Sequence, residues 1–383
     1  MPAIFYADLH GKTHPWVGKP EMRFDAEYAL TQIAELSAEQ EADVIDGGDT
    51  YHSPRPEGDV VTLVQQLIHR VTSAGRGFAY VYGNHSSFPL ATSPDLSDCA
   101  VHLTDHSMMI GDHRVIGFDH MSRAQVQSVL PDIPLDVSAV VCHWCFKEAF
   151  DWGVSHLTLN DTPPHIKLWA AGHIHKKIHK TGGLGQTLIY PGSPYVSRLD
   201  DDQHGGVWLI NDDLSLQHME LDKRLVIRWK VEKPDDIEKL IVWTRDHQKV
   251  RLEQMSSHVS PHIAEAISQP IVVVSWYIDQ MPGVGKTVAE ALGQDAHVFE
   301  YPLDSGAEQV AHDMQESGVL SESSLSLPAF LPQEVDREAQ PTVYDALNQF
   351  LGGSPIQKCM TGAGLACGLS AEELVRIIPA IRE

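Results

Sequence analysis

The sequence predicts an α/β fold in which strands and helices alternate along the chain. Short apolar runs with strand character carry this prediction, and a polar cluster follows each of them. The runs cover residues 3–7, 43–46, 77–82, 137–142 and 166–171. Because sites in open α/β sheets form on the loops beyond the strand ends, we expect one mostly buried sheet with a site at its edge.

Amphipathic helices are predicted between the first strands. Apolar residues recur at helical spacing from Ala26 to Leu36, and again from about Val60 to Val71. Each segment would cover the sheet with its apolar side. Beyond the last polar cluster the pattern changes to short strands and turns, which would complete the layer that an α/β half alone leaves exposed. These strands are predicted at 186–190, 206–210 and 214–221.

A further α/β module is predicted from about Leu225. Its predicted strands are 225–231, 271–278 and 297–301, and its predicted helices are 234–244 and 285–292. The run Gly283-Val284-Gly285-Lys286-Thr287 resembles the end of a phosphate-binding loop. The first glycine that such a loop requires is Gln280, so we interpret the run as a turn that enters a helix.

The C-terminal part of the chain predicts a linker followed by two short amphipathic segments. Residues 317–341 are rich in Ser, Pro and Glu, and apolar residues then recur around Leu347 and Ile377. We therefore predict three regions, at 1–222, 223–305 and 306–383.

The composition is that of an ordinary globular protein. Of 383 residues, 43% are hydrophobic and 21% are charged, and the net charge is −24. No apolar run approaches the ~20 residues of a membrane span, and Met1-Pro2-Ala3-Ile4 lacks a basic region before an apolar one, so we expect a cytoplasmic protein. The charge argues against a protein that only binds DNA, because Lys and Arg usually make the phosphate contacts.

The cysteines number 5, which is odd, and we interpret Cys142 and Cys145 as small buried hydrophobes with reduced thiols.

The polar clusters contain residue types that can bind metal ions. In chain order they are Asp8-Leu9-His10, Gly48-Asp49, Gly83-Asn84-His85, His143 and Gly172-His173-Ile174-His175. Carboxylate, imidazole and amide oxygen without thiolate suit manganese, iron or zinc. The set exceeds the needs of one ion, so two ions that share a bridging carboxylate are expected. Paired ions recur in enzymes that hydrolyse phosphoesters.

This ordered set resembles the motifs of the calcineurin-like metallophosphoesterase superfamily over roughly residues 3–220. Two stretches, 48–56 and 190–195, are similar to segments of the SbcD-type DNA repair nucleases and their phage relatives. One position departs from the family pattern: Ser86 stands where an acidic residue usually follows the G-N-H motif. That departure puts the orientation of the neighbouring ligands in doubt more than the site itself.

The resemblance implies a four-layer α/β/β/α sandwich with a smaller α/β capping domain and helical C-terminal segments. It also implies two divalent ions, commonly manganese in this subfamily, with iron, zinc and magnesium as alternatives. Asp8, His10 and His175 would hold one ion, Asn84, His143 and His173 the other, and Asp49 would bridge both. His85 would be a catalytic histidine that is not a ligand, and His52 a second group facing the phosphate.

Three functional hypotheses follow. The resemblance implies the nuclease subunit of an SbcCD-like DNA repair and recombination complex, with DNA as substrate and an SMC-like coiled-coil ATPase docked on the C-terminal helices. Homodimers are common among such nucleases. A stand-alone phosphoesterase for a small nucleotide, a phosphoprotein or another phosphoester is the alternative, and a non-catalytic scaffold is the third.

Three lysines after the last cluster would contact a DNA backbone or form a solvated loop: Lys176, Lys177 and Lys180. Four histidines are expected to be ordinary surface residues: His14, His69, His179 and His204.

Overall fold

The computed structural model describes residues 1–12, 20–85, 100–149, 155–197, 204–255, 259–277 and 281–303. The chain divides into two compact units, and the first comprises Met1–Phe150, Ser155–Ser275 and Val284–Tyr301. The described residues of the second unit are 276–277, 281–283 and 302–303.

Strands and helices alternate over the described residues, which confirms the prediction of a mixed α/β fold. The strands are β1 (Ala3–Tyr6), β2 (Asp43–Asp46), β3 (Phe78–Tyr80), β4 (Ala100–His102), β5 (Ser107–Ile110), β6 (His113–Phe118), β7 (Val137–Cys142), β8 (Leu168–Ala171), β9 (Lys177–Thr181), β10 (Thr187–Pro191), β11 (Gly206–Ile210), β12 (Leu216–Glu220), β13 (Val226–Val231), β14 (Ile271–Tyr277) and β15 (His297–Leu303). The α-helices are α1 (Phe24–Glu39), α2 (Gly58–Ser73), α3 (Arg123–Val129), α4 (Pro234–Met255), α5 (Pro261–Ser268) and α6 (Val284–Leu292).

Two six-stranded sheets carry the strands that precede the polar clusters. The first has the order β12-β11-β1-β2-β3-β4, with β1 to β4 parallel and β11 antiparallel to β1. The second has the order β5-β6-β7-β8-β10-β9, with parallel strands from β6 to β10 and antiparallel strands at both edges. The strands β13, β14 and β15 form a three-stranded sheet.

The expectation of one sheet under all the polar clusters is therefore wrong. β1, β2 and β3 lie in the first sheet, whereas β7 and β8 lie in the second. Each of these strands is almost completely buried, and an apolar run shows only that a strand is covered on both sides. It does not show which strand lies beside it.

Alternate residues of the strands face different hydrophobic clusters. Phe5 and Ile45 from the first sheet share one cluster with Val141 and Leu168 from the second, so the two sheets bury a common core. On its other side the first sheet packs against α1 and α2, and the second packs against α3 and the segment around Trp144. This common core brings the loops of both sheets to one place.

A buried ion pair joins α1 to the segment between β12 and β13, and the same arginine contacts the C-terminal end of α5. The Arg224 guanidinium donates to the Asp25 carboxylate at 2.9 Å and 2.8 Å, and to the backbone carbonyls of Ala266 and Gln269. Arg224 is 1% exposed and Asp25 is 3% exposed. Burial raises the pKa of Asp25 in spite of the neighbouring guanidinium. Removal of either partner would leave a buried charge, which typically destabilises a protein by roughly 3–5 kcal/mol.

Several outcomes concern smaller predictions. Helix α6 begins at Val284, directly after Gly283, so the interpretation as a turn entering a helix is confirmed. Helix α4 extends to Met255, well beyond its predicted end. Cys142 and Cys145 are buried free thiols, and burial raises the pKa of Cys145 to about 11. Within the described part of the chain, the helices are all too short or too polar to cross a bilayer. The predicted linker and C-terminal segments lie outside the described residues.

Candidate metal centre

The predicted ligands lie on loops that follow the carboxyl ends of the strands in both sheets. Asp8 and His10 follow β1, Asp49 follows β2, and Asn84 follows β3 in the first sheet; His143 follows β7, while His173 and His175 follow β8 in the second. Their side chains meet where the two sets of loops come together. The structure thus places side by side residues that are far apart in the sequence, such as His10 and His175, which are separated by 165 positions.

The first group of ligand atoms belongs to Asp8, His10 and His175, which lie within 4.8 Å of one another. Nε2 of His10 is 3.0 Å from Nε2 of His175, and the latter is 3.9 Å from Oδ1 of Asp8. Asp8 and His10 are buried, at 0% and 3% exposure. Nitrogen and carboxylate oxygen therefore point into one small space, as the ligands of a single ion do.

Asp49 lies between this first group and a second. Its Oδ2 is 3.7 Å from Nε2 of His10 and 3.2 Å from Nε2 of His143. Asp8, Asp49 and His143 also have ligand atoms within 4.8 Å of one another. The Asp49 carboxylate is thus close to a histidine of each group.

His173 and Asn84 complete the second group. Nδ1 of His173 is 3.0 Å from the amide oxygen Oδ1 of Asn84. The backbone N–H of His173 donates to both carboxylate oxygens of Asp8 at 3.0 Å. These hydrogen bonds join the loop after β8 in the second sheet to the loop after β1 in the first.

The backbone at several of these residues has an unusual conformation. Asp8, His10, Asp49 and His173 have φ values of 58°, 48°, 56° and 92°, in the left-handed region that L-residues rarely adopt. Such conformations typically cost roughly 1–3 kcal/mol each and concentrate at functional sites. Asp8 and His10 share one short loop, and Asp49 and His173 lie on two others, so the unusual backbone recurs on three of the ligand loops.

The motif glycines leave room for the ligands. A Cβ atom at Gly83 would overlap the Asp49 carboxylate. A Cβ at Gly172 would lie 2.7 Å from Nδ1 of His143 and would overlap the carbonyl oxygen of Gly47. The glycines of the G-N-H and G-H-x-H motifs are therefore required by close packing against the ligand residues.

The protonation state of His143 is set by its two neighbours. Nδ1 lies 2.9 Å from the carbonyl oxygen of Gly47, and because a carbonyl only accepts, Nδ1 carries the proton. Nε2 then faces the carboxylates. Burial alone would lower the pKa of His143, but the charge of Asp49 and then of Asp8 raises it to about 9.

The pKa values of the other groups shift in different directions. Burial raises the pKa of Asp8, although the positive charge of His143 partly opposes this increase. Burial would also raise that of Asp49, but the charge and hydrogen bond of His143 outweigh it and hold the pKa well below its usual range. Burial lowers the pKa of His10 strongly and that of His173 to about 3, so both rings are neutral near pH 7. Two buried carboxylates and the neutral imidazoles of His10 and His173 provide oxygen and nitrogen donors that fit divalent cations.

His85 and His52 lie against the first group. The His85 and His52 rings stack at 5.2 Å, and the His85 ring is 4.8 Å from the His10 ring. The backbone N–H of His85 donates to Oδ1 of Asp49 at 2.9 Å. Nδ1 of His85 lies 3.2 Å from the carbonyl oxygen of His52, so this nitrogen is the donor and Nε2 is left to face the site.

The segment around Ser193 supports the first ligand loop from behind. Ser193 Oγ donates to the backbone carbonyl of Asp8 at 3.1 Å, and the Tyr195 hydroxyl donates to that of His10 at 3.2 Å. Lys223 Nζ in turn donates to the Ser193 carbonyl at 2.6 Å. Sequence similarity singled out this segment without revealing these contacts.

Two histidines near the second group escaped sequence analysis. The His120 ring lies 6.2 Å from that of His143 and 5.9 Å from that of His173, and the His156 ring lies 6.5 Å from that of His173. His120 follows β6, so the rule that polar residues follow buried strands would have found it had β6 been predicted. His156 follows no strand, and its sequence gives no comparable signal.

The remaining sequence predictions have simple outcomes. His69, His179 and His204 are exposed, as expected of surface histidines. The three lysines after His175 are exposed too, and Lys177 begins the edge strand β9. His14 and Ser86 lie outside the described residues.

No family model matches the chain, and no curated protein matches it. Among solved structures the chain is similar to a dimetal phosphatase from Danio rerio, with 11% sequence identity and a TM-score of 0.33. That similarity covers 51% of this chain and 88% of the other. What the fold and the site define is a mixed α/β protein with a candidate metal centre between the loops of two sheets.

Proposed function

We propose that the protein is a metal-dependent phosphoesterase with a two-ion centre. The single observation that carries this proposal is the position of Asp49, whose carboxylate lies within 3.7 Å of a histidine from each ligand group. A shared carboxylate between two sets of oxygen and nitrogen ligands is the arrangement that two-ion hydrolases use.

In this proposal Asp8, His10 and His175 hold one ion, and Asn84, His143 and His173 hold the other. Asp49 bridges them. When bound, the two ions would polarise the phosphoryl group and activate water for its hydrolysis. The residues of the chain fix both groups of ligands through the hydrogen bonds from His173 to Asp8 and from His85 to Asp49.

His85 and His52 act on the substrate rather than as ligands. The Nε2 atom of His85 is directed to the site because Nδ1 is held by the His52 carbonyl. With both ring nitrogens protonated, the ring would donate a hydrogen bond from Nε2 to the phosphoester and pass that proton to the departing oxygen. Stacking of His52 on His85 keeps the two rings together at one side of the centre.

DNA is the substrate that we propose within this class, with the protein as the nuclease subunit of an SbcCD-like complex. The stretches 48–56 and 190–195 support it, as do the exposed lysines beside His175. The proposal includes the four-layer arrangement of sheets and helices, manganese as the metal, an SMC-like ATPase partner, and homodimers. The net charge of −24 favours the alternative, a stand-alone phosphoesterase for small phosphoesters.

The test is hydrolysis of bis(4-nitrophenyl) phosphate and of labelled linear and single-stranded DNA in Mn²⁺, with Asp49→Ala as the control. If the wild type hydrolyses both the small diester and DNA, and Asp49→Ala hydrolyses neither, the result supports the nuclease hypothesis. Turnover of small phosphoesters, with no DNA cleavage even beside an SMC-like ATPase, supports the stand-alone enzyme. If the protein neither turns over any of these substrates nor binds metal, the third hypothesis, a non-catalytic scaffold, would be favoured.

A further inference from the structure

His120 neighbours a different ligand group of the candidate centre from His85 and His52. Those two rings flank His10 in the first ligand group, whereas the His120 ring lies beside His143 and His173 in the second. Strand β6 runs parallel to β7, and the ladder pairs Phe118 with Cys142. His120 therefore reaches the same edge of the sheet as His143.

The backbone of His120 is fixed on two sides. Its N–H donates to the carbonyl oxygen of Tyr82 at 2.8 Å, just before the G-N-H motif. The His156 ring hydrogen-bonds the backbone of Met121, the residue that follows His120. Nδ1 of His156 also accepts a hydrogen bond from the Cys145 N–H at 2.8 Å. Two loops of the second sheet and one of the first thus determine where the His120 ring lies.

The His120 ring itself remains available to a ligand. It is half-buried rather than enclosed, and no hydrogen bond joins its ring to the residues that the structure describes. The ring is not needed to complete either ligand group. A polar ring held beside a site by its backbone, and not bonded by its neighbours, is suited to contact a substrate.

We infer that His120 is a substrate-contacting residue, which donates a hydrogen bond to the second ester group of a phosphodiester. This inference rests on the proposed function. A phosphodiester carries an ester group on each side of phosphorus, whereas a monoester carries only one. A diester that spans both ligand groups would meet His85 and His52 beside the first group and His120 beside the second.

The test compares His120→Ala and His120→Gln with the wild type, using the diester bis(4-nitrophenyl) phosphate and the monoester 4-nitrophenyl phosphate in Mn²⁺. His106→Ala is the matched control, because His106 is an exposed histidine that neighbours no ligand. Loss of one hydrogen bond to a charged group corresponds to about a tenfold to hundredfold change. We expect KM for the diester to rise by that factor in His120→Ala, with a smaller change in kcat and little change for the monoester.

His120→Gln keeps an N–H donor and should recover part of the diester affinity. Binding of inorganic phosphate by the Mn²⁺-loaded protein, with metal content measured in parallel, provides a readout that does not need turnover. We expect unchanged metal content and phosphate affinity in His120→Ala, since inorganic phosphate lacks the second ester group. Unchanged diester KM in His120→Ala, or equal losses for diester and monoester, would overturn the inference while leaving the proposed function intact. A wild type that neither hydrolyses these esters nor binds phosphate would overturn both.

Discussion

The hydroxyl of Tyr195 donates a hydrogen bond to the backbone carbonyl of His10 across 3.2 Å. His10 has φ of 48°, so this bond stabilises a ligand loop in a conformation that is otherwise unfavourable. Tyr195 is 2% exposed, which removes competition from water. The bond connects the segment after β10 to the ligands after β1.

Tyr195→Phe should weaken metal binding without abolishing it. Loss of a group that orients ligands typically lowers metal affinity roughly 10–100-fold, and loss of the hydrogen bond should lower the free energy of unfolding by about 1 kcal/mol. Metal titration and denaturant unfolding measure the two effects. Tyr28→Phe is the control, because its hydroxyl bonds Asp222 at 2.6 Å, away from the ligands. Equal loss of metal affinity in both variants would contradict the prediction.

Gly172→Ala should destabilise the protein and disturb the second ligand group. The added methyl would overlap the Gly47 carbonyl and crowd Nδ1 of His143, and overpacking typically costs about 1–3 kcal/mol. Gly58→Ala is the matched control, since a Cβ there would meet no atom within 4 Å. The urea unfolding midpoints of both variants measure the loss of stability. If Gly172→Ala is as stable as Gly58→Ala, the loop accommodates the added methyl group and the prediction is wrong.

The metal-free protein should lose stability as pH rises from 6.5 toward 9. Below 6.5 His143 is protonated in both the folded and the unfolded chain, and its raised folded pKa of about 9 contributes its full stabilisation. Above 6.5 the unfolded chain releases that proton while the folded chain retains it, so the free energy of unfolding falls. Unfolding in EDTA at several pH values measures this slope. His143→Gln should have a shallower slope, and an identical slope would refute the assignment.

Metal loading should raise the unfolding temperature by joining the two sheets. A ligand at a hundredfold excess over its Kd stabilises the folded state by about 2.7 kcal/mol. Removal of the ions with a chelator should reverse the shift. Asp49→Asn should abolish most of it and lower turnover at least ~100-fold, because Asp49 faces both ligand groups. Full metal content in Asp49→Asn by elemental analysis would count against a bridging role.

Much of the site could be predicted because its ligands follow strands that are buried on both faces. Such strands are short, mostly apolar runs, and Asp8, Asp49 and His143 stand out at their ends. The division of these strands between two sheets could not be predicted, because an apolar run at β7 carries no information about its neighbours. β6 was missed because its sequence, HRVIGF, mixes charged and apolar residues, and His120 was missed with it.

The segment from Tyr190 to Tyr195 shows a different limit. Similarity to known nucleases marked it as a sign of substrate class, yet the hydroxyls of Ser193 and Tyr195 donate to the backbone of Asp8 and His10. A hydrogen bond from a side chain to a backbone carbonyl leaves no pattern at the accepting residue. Its acceptor therefore becomes known only from the folded chain.

The ion pair of Asp25 and Arg224 bears on the order of events during synthesis. Its partners are 199 positions apart, so Asp25 emerges from the ribosome long before the guanidinium that neutralises it. Until then the cost of desolvating a lone carboxylate opposes the docking of α1. The docking of α1 on the first sheet therefore gains stability once residues beyond position 222 have been translated, although the sequence assigns them to another domain.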